Sequence, residues 1–268
     1  TREDGRPRRL IPSLYRIEVA VDIVSQAVGC VLGRVCAADT EEFPFDDTNA
    51  VPVTPPGLNT SASGESVYVD DIGHAQDLTS LVESAIAVMF RSPSVRAEII
   101  DALPGGARDL RAFLASEFFS GHVRRYSGSH RRAPIYWQLA TPSASYSIWI
   151  YYHRFTSDTI YRVVNDYVTP KLRHEESKLL SLTQDAGPNP SASQRKEIHA
   201  QEKFVAELRA LREEVARVAP LWNPDLNDGV IINFAPLWRL VPRNRSWQKE
   251  CKAVWDKLVA GEYDWAHL

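Results

Sequence analysis

Nowhere in the 268 residues does an apolar run approach the roughly 18 to 20 residues that a membrane-spanning helix needs, so a helical membrane span is excluded. Cysteine is scarce. Cys30, Cys36 and Cys251 are too few and too scattered for a disulfide framework or a zinc knuckle, and a reduced, cytoplasmic protein is the expectation. The chemical signatures of common enzymes are missing as well. There is no Gly-x-Gly-x-x-Gly, no Walker loop, no His-Glu-x-x-His and no paired-cysteine metal site. No acid cluster or nucleophile with an adjacent base stands out, which argues against a self-contained hydrolase or nuclease. The chain opens Thr-Arg-Glu-Asp-Gly with neither an initiator methionine nor a signal-peptide pattern, and it reads as a piece cut from something larger.

Charge of one sign is absent over a long stretch. From Val35 to Phe90 there is no Lys or Arg, while ten acids occur there. From Ser120 to Arg173 the balance inverts: eight bases (Arg124, Arg125, Arg131, Arg132, Arg154, Arg162, Lys171, Arg173) face Asp158 and Asp166. The whole-chain charge of -3 and pI near 6.2 give no support for nucleic-acid binding, so the asymmetry is the informative quantity. Two readings stay open. The two segments attract one another within the fold, or the basic one faces nucleic acid. With 44% hydrophobic and 24% charged residues the chain can bury a core as one large domain or two small ones.

The pattern predicts a helix-rich α+β fold. Residues 13–33 carry helical spacing from Leu14 to Leu32, with Ser13 as N-cap and Gly33 as C-cap. Four prolines among Asp, Thr, Ser and Asn make 38–66 an irregular loop, VYVDD (67–71) is β-like, and Asp77 caps a helix over 78–91. Another helix covers 108–120. Residues 133–153 are aromatic and β-branched on either side of Thr-Pro-Ser-Ala-Ser, the signature of a β-hairpin turning near Pro142. Two long helices follow. Val168, Leu172, Glu175, Leu179 and Leu182 define the first, with Pro170 tolerable only near its start. Ser191 and Gln194 form a capping box for the second, whose core face is Phe204, Leu208, Leu211, Val215 and Val218. Five of the seven tryptophans lie after Pro220, where PDLNDG (224–229) reads as a turn, VIINF as an apolar strand and 244–260 as a helix. The organisation expected is a helical connector (1–37), an acidic Pro-rich linker (38–75), an α/β recognition module (76–165), a long antiparallel helical hairpin (166–219) and a Trp-rich C-terminal segment (220–268).

The strongest cluster is HVRRYSGSHRRAPIYW, His122 to Trp137. Two arginine pairs flank a Ser-Gly-Ser able to present N–H groups and hydroxyls, and aromatics follow. Arginine and small polar residues are what phosphate contact requires, and arginine also reads guanine edges. Arg124, Arg125, Tyr126, Ser127, Ser129, Arg131 and Arg132 are therefore candidate DNA-binding residues, and Arg154 in YYHR (151–154) could continue their face. A solvated basic turn leading into a strand explains the same residues. His122 and His130 read as structural or phosphate-contacting rather than as metal ligands.

Several of these stretches together resemble a known family. Val24 to Arg34 (VSQAVGCVLGR) is similar to the "SYAVGCMFGR" helix that follows the catalytic domain of large adenine-specific DNA methyltransferases, departing from it at Gln26. Arg124 to Trp137 resembles their "KRYSKSRRKAPIYW", and Ser147 to Asp166 and Trp222 to Trp265 look like their later landmarks, in family order. The family is the PglX-type methyltransferases of the BREX and DISARM phage-defence systems, kin to single-chain restriction–modification enzymes. The resemblance implies the C-terminal, target-recognition portion of a cytoplasmic enzyme that methylates adenine N6 in double-stranded DNA. It places S-adenosylmethionine and the catalytic residues in an upstream domain with a glycine-rich loop and an Asn-Pro-Pro-Tyr loop, so no catalytic or cofactor residue maps onto this chain. Partners implied are DNA, that upstream domain and other defence subunits. A docking module without DNA contact, built on the acidic stretch, the helical hairpin and the tryptophans, is the alternative.

Overall fold

The computed structural model describes residues 12–34, 66–90, 92–104, 109–128 and 131–262, with 12–15, 128, 131 and 132 described by their backbone alone. These fall into two compact units, one from the described parts of Thr1–Glu65 and Asp77–Glu117, the other from those of Ser66–Gln76 and Phe118–Leu268.

The first unit is helical. In α1 (Pro12–Val31) the residues Ala20, Val24, Ala27, Val28 and Val31 recur at helical spacing and are all buried. Gly33 follows in the left-handed region (φ 68°), the conformation that ends a helix at little cost to glycine. α1 packs on α2 (Leu78–Met89), whose buried face is Leu78, Val82, Ala85 and Ile86. Asp77 caps α2 as expected: its carboxylate accepts from the Ser80 N–H at 3.1 Å. The same side chain, only 1% exposed, takes both terminal nitrogens of Arg111, at 2.9 and 2.7 Å, from α4 (Leu110–Phe113). α3 (Pro93–Asp101), a short helix with Pro at its first position, completes the unit.

The helix expected over 108–120 runs further. After α4 the backbone passes through a π-helical turn, Leu114–Phe118, and continues as α5 (Phe119–Arg125). Arg124 and Arg125 therefore lie in a last helical turn rather than in a loop.

The second unit is built round a three-stranded antiparallel sheet of order β1-β5-β4: β1 (Val67–Val69), β4 (Tyr136–Ala140) and β5 (Ser147–Tyr151). The hairpin is found where its aromatic runs put it, with Trp137 opposite Ile150 and a turn closed by Thr141 N–H to Tyr146 O at 3.0 Å. β1 adds the third strand, Val67 opposite Ile150, and lies within the stretch expected as linker; residues 38–65 are outside the described residues. All residues of the three strands are buried, because α5 contacts the sheet and so does the 3-10 segment Ala235–Leu240. That double cover erases the in–out alternation a half-buried hairpin would show. A two-stranded ribbon, β2 (Ser127–Gly128) with β3 (Arg131–Arg132), sits between α5 and β4.

The helical hairpin is present, with one correction. Its first arm begins at α6 (Thr159–Arg162) and passes through a second π-helical turn, Val163–Val168, before α7 (Thr169–Ala186). Pro170 stands in the first turn of α7, as expected, with helical backbone already preceding it. The π turn widens the backbone just where proline lacks an N–H and would crowd the carbonyl four residues back. α8 (Ala192–Val218), 27 residues and about 40 Å long at 1.5 Å per residue, carries the capping box: Ser191 Oγ accepts from Gln194 N–H and Gln194 Oε1 from Ser191 N–H. The second correction concerns VIINF, which is a short helix, α9 (Val230–Phe234), and not a strand. A five-residue apolar run carries no periodicity to separate the two. Here Asn233 must turn back to bind Asp225 through both backbone groups, at 2.9 and 2.6 Å, which the helical turn permits. The expected final helix is α10 (Arg245–Val259), capped by Asn244 accepting from Trp247 N–H. Trp222 and Trp247 are core residues rather than a docking surface.

Candidate nucleic-acid interface

Arg124 and Arg125 are exposed in the last turn of α5, where the helix dipole favours cations. Tyr126 ends the helix, donating its N–H to His122 O at 3.0 Å, and its carbonyl accepts from Ala133 N–H at 3.0 Å. That bond extends the pairing of Ser127–Gly128 with Arg131–Arg132, so these residues form a β-ribbon. Ser127 pairs with Arg132 and Gly128 with Arg131. Ser127 Oγ donates to Val123 O at 2.6 Å, which commits its proton to the helix end and leaves its oxygen able to accept. Ser129 and His130 lie outside the described residues.

His122 is the residue that fixes this arrangement. It is 4% exposed, and its Nε2 accepts from both Ile135 N–H and Tyr136 N–H at 3.1 Å. An Nε2 that accepts carries no proton, so the ring is held there in its neutral form. Its ring stacks on Tyr136 (4.6 Å, 20°) and lies 4.5 Å from Tyr126. His122 is therefore a structural bolt between α5 and the start of β4, and the phosphate-contacting role does not fit it. Its spacing to the arginines was visible in the sequence; its burial was not.

Arg154 arrives at the same place from the other strand. β5 ends in a 3-10 turn, Tyr152–Arg154, and Tyr152 N–H donates to Ile135 O at 2.8 Å. Tyr151 and Tyr152 are buried, so of this stretch only His153 and the half-buried Arg154 reach the surface. The fold thus brings Arg124, Arg125, the Arg131–Arg132 ribbon backbone and Arg154 to the open end of the β4–β5 hairpin.

Another base of the positive stretch does different work. Lys171 Nζ lies 2.6 Å from Asp71 and 2.8 Å from Glu175, whose own carboxylate and carbonyl accept from Gln201 Nε2 at 2.7 and 3.1 Å. Burial disfavours the charge on Lys171, but the two carboxylates outweigh it and hold its pKa above the usual value. Burial likewise pushes Glu175 up, and Lys171 with Gln201 brings it below the ordinary range. Here the attraction between acidic and basic segments is realised inside the fold.

A second feature was read in the sequence only as a turn. The loop Asn223–Asp228 and Phe155–Thr156 line an open cleft of about 590 Å³. Asn233 and Tyr152 pin the loop: Asn233 Nδ2 donates to Tyr152 Oη at 3.3 Å, and Tyr152 Oη to Asp228 O at 3.2 Å. Asp228 is held above the usual carboxylate range by burial and by Asp225.

Asn223-Pro224-Asp225-Leu226 is part of the pinned turn. Among the described residues no group of three or more His, Cys, Asp or Glu is placed to hold a metal ion, and no helix is long and apolar enough to cross a membrane.

No family model matches the sequence. Two curated proteins are similar to it. The adenine-specific methyltransferase BrxX of Escherichia coli O9:H4 (strain HS) is 20% identical over 260 residues, covering 82% of this chain and 20% of its own. The adenine-specific methyltransferase PglX of Lacticaseibacillus casei (strain Zhang) is 24% identical over 251 residues, covering 83% of this chain and 20% of its own. The chain thus spans about a fifth of the length of these relatives. Over most of its residues it is similar to these adenine-specific methyltransferases.

Proposed function

We propose that this chain is the DNA-recognition and C-terminal portion of an S-adenosylmethionine-dependent adenine-N6 DNA methyltransferase of a phage-defence system in the cytoplasm. The observation that carries the reading is the convergence of Arg124, Arg125, the Arg131–Arg132 ribbon and Arg154 on one end of the hairpin. Duplex DNA lies against that end, with the arginines on phosphates or base edges and Tyr126, Ser127 and Ser129 in support. The cofactor and the catalytic residues belong to the remainder of the enzyme. A target adenine must leave the duplex to be methylated, and the part played by this region is to grip the flanking DNA while the base is out.

The test is duplex binding by the full-length protein across a salt series. Replacing Arg124 and Arg125 by Ala, and separately Arg131 and Arg132, is expected to weaken binding and flatten the slope of log K against log salt by about 0.9 per lost phosphate contact. An unchanged slope in both variants removes this end of the sheet from the DNA surface. The alternative, a protein-docking module, draws on the cleft at Asn223–Asp228: among the described residues Asp225 and Asp228 have no ion-pair partner, and their charge would repel a phosphate backbone.

A further inference from the structure

The segment 238–252 (WRLVPRNRSWQKECK) holds five bases, Arg239, Arg243, Arg245, Lys249 and Lys252, against the single acid Glu250. Nothing in the positive stretch 120–173 anticipates it. The core fixes which way these residues face. Trp247, Cys251 and Leu258 of α10 are fully buried, so Arg245, Lys249 and Lys252, at i, i+4 and i+7, share the opposite, solvent-facing side. Seven residues at about 1.5 Å each spread that row over about 10 Å. The preceding 3-10 segment brings a second element to it. Trp238, half-buried, has the Arg239 guanidinium 5.1 Å and the Lys252 ammonium 5.6 Å from its ring, so one aromatic ring holds two cations. Arg239 and Lys252 each share a carboxylate, Glu214 at 3.4 Å and Asp256 at 2.7 Å. Arg243, Arg245 and Lys249 are exposed and have no ion-pair partner among the described residues. Arg243 donates to the carbonyl of Ser143 in the β4–β5 turn, which sets this group at the opposite end of the hairpin from Arg124 and Arg154.

We infer that the outer face of α10 with the Trp238 turn is a second contact surface for the phosphate backbone of duplex DNA. This rests on the reading above and adds to it a sequence-independent grip. The five-residue strand pair between the two basic groups is itself roughly 17 Å long at about 3.4 Å per residue. A duplex with one negative charge per about 1.7 Å of axis offers phosphates to both.

The experiment compares R245A/K249A with R124A/R125A in the full-length protein, measuring binding to a mixed-sequence duplex by fluorescence anisotropy across a salt series. Both residues of the first pair are exposed and away from the core, so its melting temperature should match the parent. Loss of two phosphate contacts is expected to flatten its log–log slope by about 1.8 and to weaken binding at 0.1 M salt by about 60-fold. If R124A/R125A weakens binding and R245A/K249A leaves slope and affinity unchanged, the α10 surface is overturned while the recognition reading stands. If R245A/K249A acts and R124A/R125A does not, the α10 surface holds and that part of the recognition reading falls. If neither changes binding, or the parent does not bind duplex DNA, both fall.

Discussion

Replacing His122 by Phe isolates one function of one side chain. Phenylalanine keeps a ring of similar size among Phe118, Tyr126 and Tyr136 but has nothing that can accept. The N–H groups of Ile135 and Tyr136, each 3.1 Å from Nε2 and buried, lose their acceptor together. An orphaned buried donor costs about 1 to 3 kcal/mol, so the pair should cost about 2 to 6 kcal/mol, the lower end if the two share one lone pair unequally. In a unit of about 160 residues each kcal/mol lowers the melting temperature by about 2 to 4 °C, which predicts a fall of roughly 5 to 20 °C. Hydrogen exchange gives the local readout, since the Ile135 and Tyr136 amides should lose protection ahead of the rest of β4. A variant that melts within about 1 °C of the parent and keeps both amides protected would refute the bolt between α5 and the sheet.

Two further perturbations address the buried charges. In Asp77 burial raises the pKa, but the Arg111 guanidinium and Ser80 outweigh it and hold the carboxyl below its usual range. Its stabilisation is therefore present above the unfolded value near 3.9 and lost as pH falls through the folded one. D77N is expected to cost about 3 to 5 kcal/mol at neutral pH and to flatten the acid limb of the unfolding curve below about pH 4; an acid limb unchanged from the parent would count against the pair. K171M strands the buried Glu175 carboxylate and should also cost about 3 to 5 kcal/mol. The raised Lys171 is lost only as pH climbs past its ordinary value and the lowered Glu175 only in acid, so thermal melts should show the largest deficit between about pH 5 and 10. A deficit that does not shrink below about pH 4 would show that packing, not charge, holds this junction.

Legibility in the sequence followed the range of the interaction responsible. Ser191 with Gln194 and Asp77 with Ser80 are contacts three residues apart, and the helices they start were read at the right place. The β4–β5 hairpin was read from its aromatic runs and turn. Interactions between distant residues were not legible. VIINF took a helical form because Asn233 had to reach Asp225 and Tyr152, the latter 81 residues away. β1 joined the sheet through a partner some 80 residues on.

For the candidate interface the division is the same. The residue types, arginines with small polar and aromatic neighbours, are a property of the sequence alone, as are the charge asymmetry and the resemblance carried by Arg124 to Trp137. Whether they form one surface depended on where the backbone carried them. His122 ties the arginine-bearing helix end to β4, the ribbon closes through Ala133 and Tyr126, and β5 returns Arg154 to the same edge. Lys171, counted with them in the sequence, was withdrawn by Asp71, a residue 100 positions away. Local hydrogen bonds and periodicity are written into neighbouring residues, whereas burial and cross-chain pairing exist only once the core has closed.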